Sequence, residues 1–226
     1  MGRQPLLLTC ASVTCPMAMN AGPRLRHLYA EFGDRVAFAT AYVREAHPGE
    51  HYPQPDTFAR KLAHARAYRD LLGLPWPVAV DSLDGDLHRA LDPRPDAAYL
   101  MATDGTVVFR ALAANDERTL RHGLAGLIAG RPLPLGERQP RLLPAPRAIG
   151  VLDAVLDRAG PSARRDFRRA LPPAYTWLRL AALFRPLPPL GRAVAALVVG
   201  LGGSLALLGG LGRLLRQHRR RTRAAR

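Results

Sequence analysis

Over the first 130 positions, apolar residues fall in short solid runs that alternate with helically spaced sets. Residues 6–10 (LLLTC) form a short apolar run that predicts a strand buried on both faces. Met17, Leu25, Leu28, Tyr29 and Phe32 suit one face of a helix over 17–32, closed by Gly33 and Asp34. Residues 36–43 (VAFATAYV) read as a second buried strand, and 48–55, with three prolines, as loop. A second helix is expected over 57–72, stopped by Gly73 and Pro75, then a short strand at Val78–Val80 and one helical turn at 87–91. Segments 97–101 and 106–110 flank Asp104-Gly105, a strong hairpin signal. Leu120, Leu124, Leu127 and Ile128 give a closing helix over 116–129 one apolar face.

Strand, helix, strand, helix, hairpin, helix is the order of the thioredoxin fold. The expectation for 1–130 is therefore an α/β domain with a central mixed sheet and flanking helices. Beyond Gly130 the pattern changes. Residues 131–147 hold five prolines and read as a Pro/Arg-rich linker, and 148–190 as helical pieces interrupted by further prolines. Residues 193–212 carry no charge, and twenty residues at ~1.5 Å each match a ~30 Å hydrocarbon core. Six glycines in that run disfavour an isolated soluble helix and are common in membrane spans. The expectation is a C-terminal transmembrane helix at 193–212, followed by an arginine-rich tail over 213–226. The opening segment lacks a long apolar stretch, so no cleavable secretory signal is expected and a single-pass tail anchor with a cytoplasmic domain is the simplest arrangement.

Charge sharpens this division. Residues 1–130 carry 14 basic and 14 acidic side chains, whereas 131–226 carry 19 basic and 4 acidic, so the net charge of +15 belongs to the second part. The domain has no electrostatic footprint for nucleic acid, and the basic tail lacks interleaved aromatics, so no nucleic-acid partner is expected. Two cysteines are too few for a disulfide framework or a structural zinc site, and no metal is expected.

Cys15 follows the first strand and opens the first helix. Amides at a helix N-terminus, and the positive end of its dipole, favour thiolate over thiol. Pro16 suits the first helical turn, and the Ser12 and Thr14 hydroxyls are placed to bond a thiolate or an incoming oxygen. The plainer reading is a small buried hydrophobe. Cys10 lies inside the apolar strand and reads as core, with a resolving role as the alternative. Glu45 and His47 follow the second strand, where open α/β sheets place their sites. His47 can exchange a proton near neutral pH and Glu45 can fix its tautomer; otherwise both are solvated loop residues. His27, His51, His88 and His122 read as surface.

Residues 5–17 (PLLLTCASVTCPM) resemble the active-site segment of the iodothyronine deiodinase family, in which a strand runs into Ser-x-Thr, selenocysteine and Pro. Ser12, Thr14, Cys15 and Pro16 fall on those positions, with sulfur for selenium. AYVREAHPGE (41–50) is similar to the family's Tyr-x-x-Glu-Ala-His signature through Tyr42, Glu45, Ala46 and His47, and His64 falls where the family has a second histidine in its substrate site. Pro95, before the hairpin, sits where thioredoxin folds carry a cis-proline backing onto the active site. The family's arginine in a Gly-rich loop after the hairpin is absent; this chain reads Ala111-Leu112-Ala113-Ala114, with Arg110 nearby.

The resemblance implies a deiodinase-like thiol oxidoreductase with Cys15 as nucleophile, acting on a peroxide, a disulfide or a halogenated compound. No cofactor is implied beyond an external thiol reductant. Expected partners are a small-molecule or protein-thiol substrate, that reductant, the membrane and, by family analogy, a second copy in an oligomer. The alternative is a membrane-tethered binding or scaffold module that kept the fold without the chemistry.

Overall fold

A computed structural model describes residues 4–91, 96–133 and 144–200. The chain runs β1 (Leu6–Ala11), α1 (Pro16–Phe32), β2 (Ala37–Tyr42), α2 (Phe58–Leu72), β3 (Val78–Val80), α3 (Asp86–Leu91), β4 (Ala98–Met101), β5 (Val107–Ala111), α4 (Glu117–Ile128), α5 (Pro144–Ala159), α6 (Pro161–Ala170) and α7 (Pro172–Ala182). Local chemistry fixes the helix boundaries. Thr57 caps α2 by accepting the Arg60 amide, and Gly73 ends it with φ +58. Asp116 caps α4 by accepting the Thr119 amide.

One sheet of five strands in the order β3-β2-β1-β4-β5 forms the frame. β1 is central, parallel to β2 and antiparallel to β4, and β4 and β5 form the hairpin. This is a thioredoxin-like mixed sheet covered by helices. Because successive side chains of a strand face opposite ways, Leu7 and Ala11 of β1 enter the main core under α1, while Leu8 and Cys10 enter a smaller cluster with Ala97 and Tyr99.

The β1–β2 register pairs Thr9 with Thr40 and Ala11 with Tyr42. Buried in the sheet, the two threonine hydroxyls share a hydrogen bond of 2.9 Å, and the Trp76 indole donates to Thr40 Oγ1 at 3.0 Å. Trp76 in turn packs against Tyr29 and Phe38. This set holds β1 and β2 level, so the chain leaves both strands at the same edge of the sheet.

α5, α6 and α7 form a C-terminal lobe around Leu152, Leu156, Ala159, Ala163 and Leu178, and α5 packs along α1. α5 begins at Pro144, inside the stretch expected as linker; a first helical turn has no need of those amides. Residues 189–200 are helical as well, and they lie on this lobe: Arg192 donates to the Gly150 carbonyl at 3.1 Å, and Ala196 is buried.

The expected C-terminal transmembrane helix, and with it the single-pass anchor and the cytoplasmic placement built on it, is corrected here. Among the described residues no helix is long and apolar enough to cross a membrane. The remainder of the expected span, 201–212, and the arginine-rich tail lie outside the described residues, as does most of the expected linker.

Thr40→Val leaves the buried Trp76 N–H and the Thr9 hydroxyl without their shared partner. The expected cost is about 2 kcal/mol of unfolding free energy, read from urea denaturation with an unchanged m-value.

Candidate active site at the head of the first helix

β1 ends at Ala11, and a turn closed by the Cys15 amide donating to the Ser12 carbonyl at 3.1 Å leads into α1. Cys15 is the N-cap of that helix, in extended conformation, and Pro16 is its first residue. Ser12 and Thr14 are buried in the turn, and Cys15 is only 2% exposed.

Parallel β2 leaves the sheet beside this turn and supplies the group that organises it. Glu45, three residues past the end of β2, has a side chain with no exposure. Its Oε2 accepts the Thr14 hydroxyl at 2.7 Å and faces the Thr14 amide at 3.4 Å. Its Oε1 accepts the Tyr42 hydroxyl at 2.5 Å and meets Nδ1 of His64 from α2 at 3.0 Å. Tyr42 also accepts the Val13 amide at 3.1 Å, and Thr14 Oγ1 accepts the His47 amide at 3.2 Å. The Glu45 amide donates to Gln54 Oε1 at 3.0 Å. A carboxylate facing Nδ1 keeps the ring proton there and leaves Nε2 as the basic nitrogen of His64. Burial and the neighbouring Glu45 push the Tyr42 phenol far above its ordinary range, so it acts as a donor.

Cys15 departs from the thiolate expected of a helix N-terminus. The amides of Met17 and Ala18 do lower its pKa, but burial, followed by the charge of Asp96, outweighs them and pushes the thiol up to about 12. Asp96 is itself wholly buried, and burial raises its carboxyl well above the usual range against the nearby amides of Ala114 and Asn115. The dipole effect is present and loses to desolvation.

Cys10 points to the other face of the sheet, among Leu8, Ala41, Val43, Ala97 and Tyr99. Burial pushes its thiol up to about 12 as well, and both cysteines are free thiols. Pro95 lies outside the described residues; its neighbour Asp96 is described. His47 is half-buried, burial lowers its pKa, and its ring meets Phe167 of α6 edge-on. His64 stacks edge-on against Tyr52.

His88, expected at the surface, is buried instead: its amide is held by Asp81, whose carboxylate also accepts from Ser82 and Leu87. With Arg44, Glu45, His47 and Gln54, it lines a cavity of about 500 Å³ beside the network. Arg110 lies elsewhere, over the Tyr99 ring and donating to the Leu91 carbonyl. Among the described residues no cluster of three or more His, Cys, Asp or Glu side chains is set to hold a metal ion.

The structure thus brings Thr14, Glu45 and His64 into one hydrogen-bonded set beside Cys15, links His47 to it through its backbone, and separates Cys10 from it. Tyr42, Gln54, Asp96 and Phe167 were missing from the sequence-derived site. For Tyr42 the Tyr-x-x-Glu-Ala-His pattern held the signal. The others have none, because their places depend on loops and on a helix over a hundred residues away.

No known family profile matches the chain. It is similar to a thyroxine 5-deiodinase from Gallus gallus, 32% identical over 93 residues, which is 37% of this chain and 35% of that protein. The chain therefore spans about a third of the length of the curated relative it matches. Among solved structures it is similar to a conserved protein from Geobacillus kaustophilus (19% identity, TM-score 0.48, 60% of this chain and 72% of that one). It is also similar to a DsbE-type thiol:disulfide interchange protein from Chlorobium tepidum (12% identity, TM-score 0.44, 54% and 79%).

Two outcomes follow from the geometry. Glu45→Ala strips Thr14, Tyr42 and His64 of their common acceptor and is expected to cost about 3 kcal/mol or more, measured by chemical denaturation. Cys10 and Cys15 titrate higher in the folded chain than in the unfolded one. Their contribution to stability is full below about pH 9 and is lost between there and about pH 12, at roughly 1 kcal/mol per pH unit for each thiol. Urea melts from pH 8 to 11 on wild type and a Cys10→Ala/Cys15→Ala variant check this, the double variant losing less stability over that range.

Proposed function

We propose that the chain is a thiol-dependent oxidoreductase in which Cys15 is the nucleophile and the Thr14–Glu45–His64 set handles its proton. One observation carries the reading: a wholly buried carboxylate is bonded to three side chains around the residue next to Cys15. A thiol held protonated at neutral pH reacts only if its proton leaves as the new bond forms. The acceptor in this set is the Glu45 carboxylate, bonded to Thr14 next to Cys15 and oriented by Nδ1 of His64. His47, which lines the adjoining cavity, supplies a second.

With a peroxide, the Cys15 sulfur takes one oxygen and the O–O bond breaks. The thiol proton ends on the departing oxygen, giving a sulfenic acid and an alcohol or water. One external thiol condenses with the sulfenic acid, releasing water and forming a mixed disulfide. A second restores the Cys15 thiol and leaves as the oxidised disulfide. A disulfide substrate enters at the mixed-disulfide stage. By analogy with the deiodinase relative, an aryl iodide would pass its iodine to sulfur and take a proton at carbon, and external thiol would then release iodide. The reading needs no bound cofactor. An external reductant is required because Cys10 faces the opposite side of the sheet.

A second reading, a binding module without chemistry, is favoured by the burial of the Cys15 thiol. The two separate on a substrate panel of peroxide, a small disulfide and an iodinated phenol, each with excess dithiol. The oxidoreductase reading expects wild type to exceed Cys15→Ser by at least about tenfold on one of them, with His64→Gln reduced toward the Cys15→Ser level. Equal rates for wild type and Cys15→Ser on all three would leave the binding module.

A further inference from the structure

The loop that follows Glu45 is held by the C-terminal lobe. The His51 amide donates to the Ala159 carbonyl at 2.9 Å, and His51 Nδ1 meets the Arg158 carbonyl at 3.1 Å. Gly49 lies so close to the Ala159 carbonyl that a Cβ there would collide with it. The Glu50 carboxylate caps α6 from outside: both oxygens accept the Ser162 amide, at 2.9 and 2.8 Å, and Oε2 accepts the Ser162 hydroxyl at 2.8 Å. Gly160, the N-cap of α6, has φ +118, and a Cβ there would strike Glu50. Arg165 adds a contact to Glu50 at 3.4 Å.

One and a half turns along α6 from this anchor, Phe167 meets the His47 ring edge-on, with centroids 5.9 Å apart and planes at 78°. On its other side Phe167 packs on the lobe core with Leu152, Leu156 and Leu178. Its ring is thus gripped by the lobe, and α6 is gripped by the loop that carries His47.

We propose that Phe167 is a positioning residue of the thiol site, which holds the His47 imidazole in one orientation at the cavity and keeps water from one of its faces. Its consequence for turnover rests on the oxidoreductase reading above; the contact itself does not. Burial is the force that lowers the pKa of His47, and the Phe167 ring is part of that burial. The charged and titratable groups around the imidazole are Arg44 and Glu45 on its own loop and His88 from α3. Glu50 with Arg165 stands at the foot of α6, Asp166 and Arg168 flank Phe167, and Cys15 lies in the turn whose Thr14 accepts the His47 amide.

The test is a proton NMR titration of His47 in the full chain, its resonance assigned by its loss in His47→Gln. Phe167→Ala is expected to raise the His47 midpoint by about half a pH unit or more, toward the ordinary value near ~6.5. Phe167→Tyr, which keeps the ring edge, is expected to restore the wild-type value. Glu50→Gln, which loosens the foot of α6 without touching either ring, is expected to move the midpoint in the same direction by less. A His47 midpoint unchanged in both Phe167→Ala and Glu50→Gln would overturn the proposal, as would Phe167→Tyr behaving like Phe167→Ala. In turnover, the pH–rate profile should shift with the His47 midpoint in Phe167→Ala. If wild type turns over nothing, the oxidoreductase reading fails while the titration still decides the role of Phe167.

Discussion

A carboxylate removed from water must find all its hydrogen bonds inside the protein, and Glu45 finds them on three elements at once. Thr14 comes from the turn after β1, Tyr42 from the end of β2 and His64 from α2. The contact therefore ties together the pieces that bring Cys15 to the edge of the sheet. Its geometry depends on the β1–β2 register, because only the pairing of Ala11 with Tyr42 puts the phenol and the turn side by side. A slip of one residue would turn Tyr42 to the other face. The threonine pair and Trp76, deeper in the same two strands, hold that register. Removal of the acceptor strands three polar groups, which is costlier than losing any single bond.

The fold was largely legible in the sequence because its signals are local. Solid apolar runs marked the strands, Asp104-Gly105 marked the hairpin, and Thr57, Gly73 and Asp116 marked helix ends where the structure has them. The site was legible only as far as the residues near Cys15 and the family resemblance carried it. The ionisation of Cys15 was not. A helix N-terminus can be read from five residues, but the burial that overrides it comes from the assembled core, and Asp96 approaches from the other side of the sheet order. His88 was misplaced for the same reason, since nothing local to α3 announces that Asp81 will draw it inward.

The C-terminal part shows composition pointing the wrong way. An uncharged, glycine-rich stretch is as apolar as a membrane span, yet its described beginning lies on the protein's own helices, and Arg192 is bonded to α5. Part of the excess positive charge is likewise used within the lobe. Arg164 and Arg185 both pair with Asp153, and together they hold its carboxyl below the ordinary range although burial works to raise it. The lobe also reaches the site. Glu50 fastens α6 to the loop after Glu45, and Phe167 meets His47. The candidate site is therefore built on the thioredoxin-like sheet and touched at His47 by helices that the fold itself does not require.

The central claim is that the fold holds Cys15 as a buried, protonated thiol next to the Thr14–Glu45–His64 set, which we propose takes its proton during reaction. Thiolate absorbance near 240 nm, followed from pH 6 to 11 on wild type against Cys15→Ser, measures this directly. The account predicts no thiolate signal attributable to Cys15 below about pH 10, in keeping with a thiol pushed up to about 12. A Cys15 transition centred at or below about 8.5, the ordinary thiol value, would show that the helix N-terminus wins over burial and would contradict it.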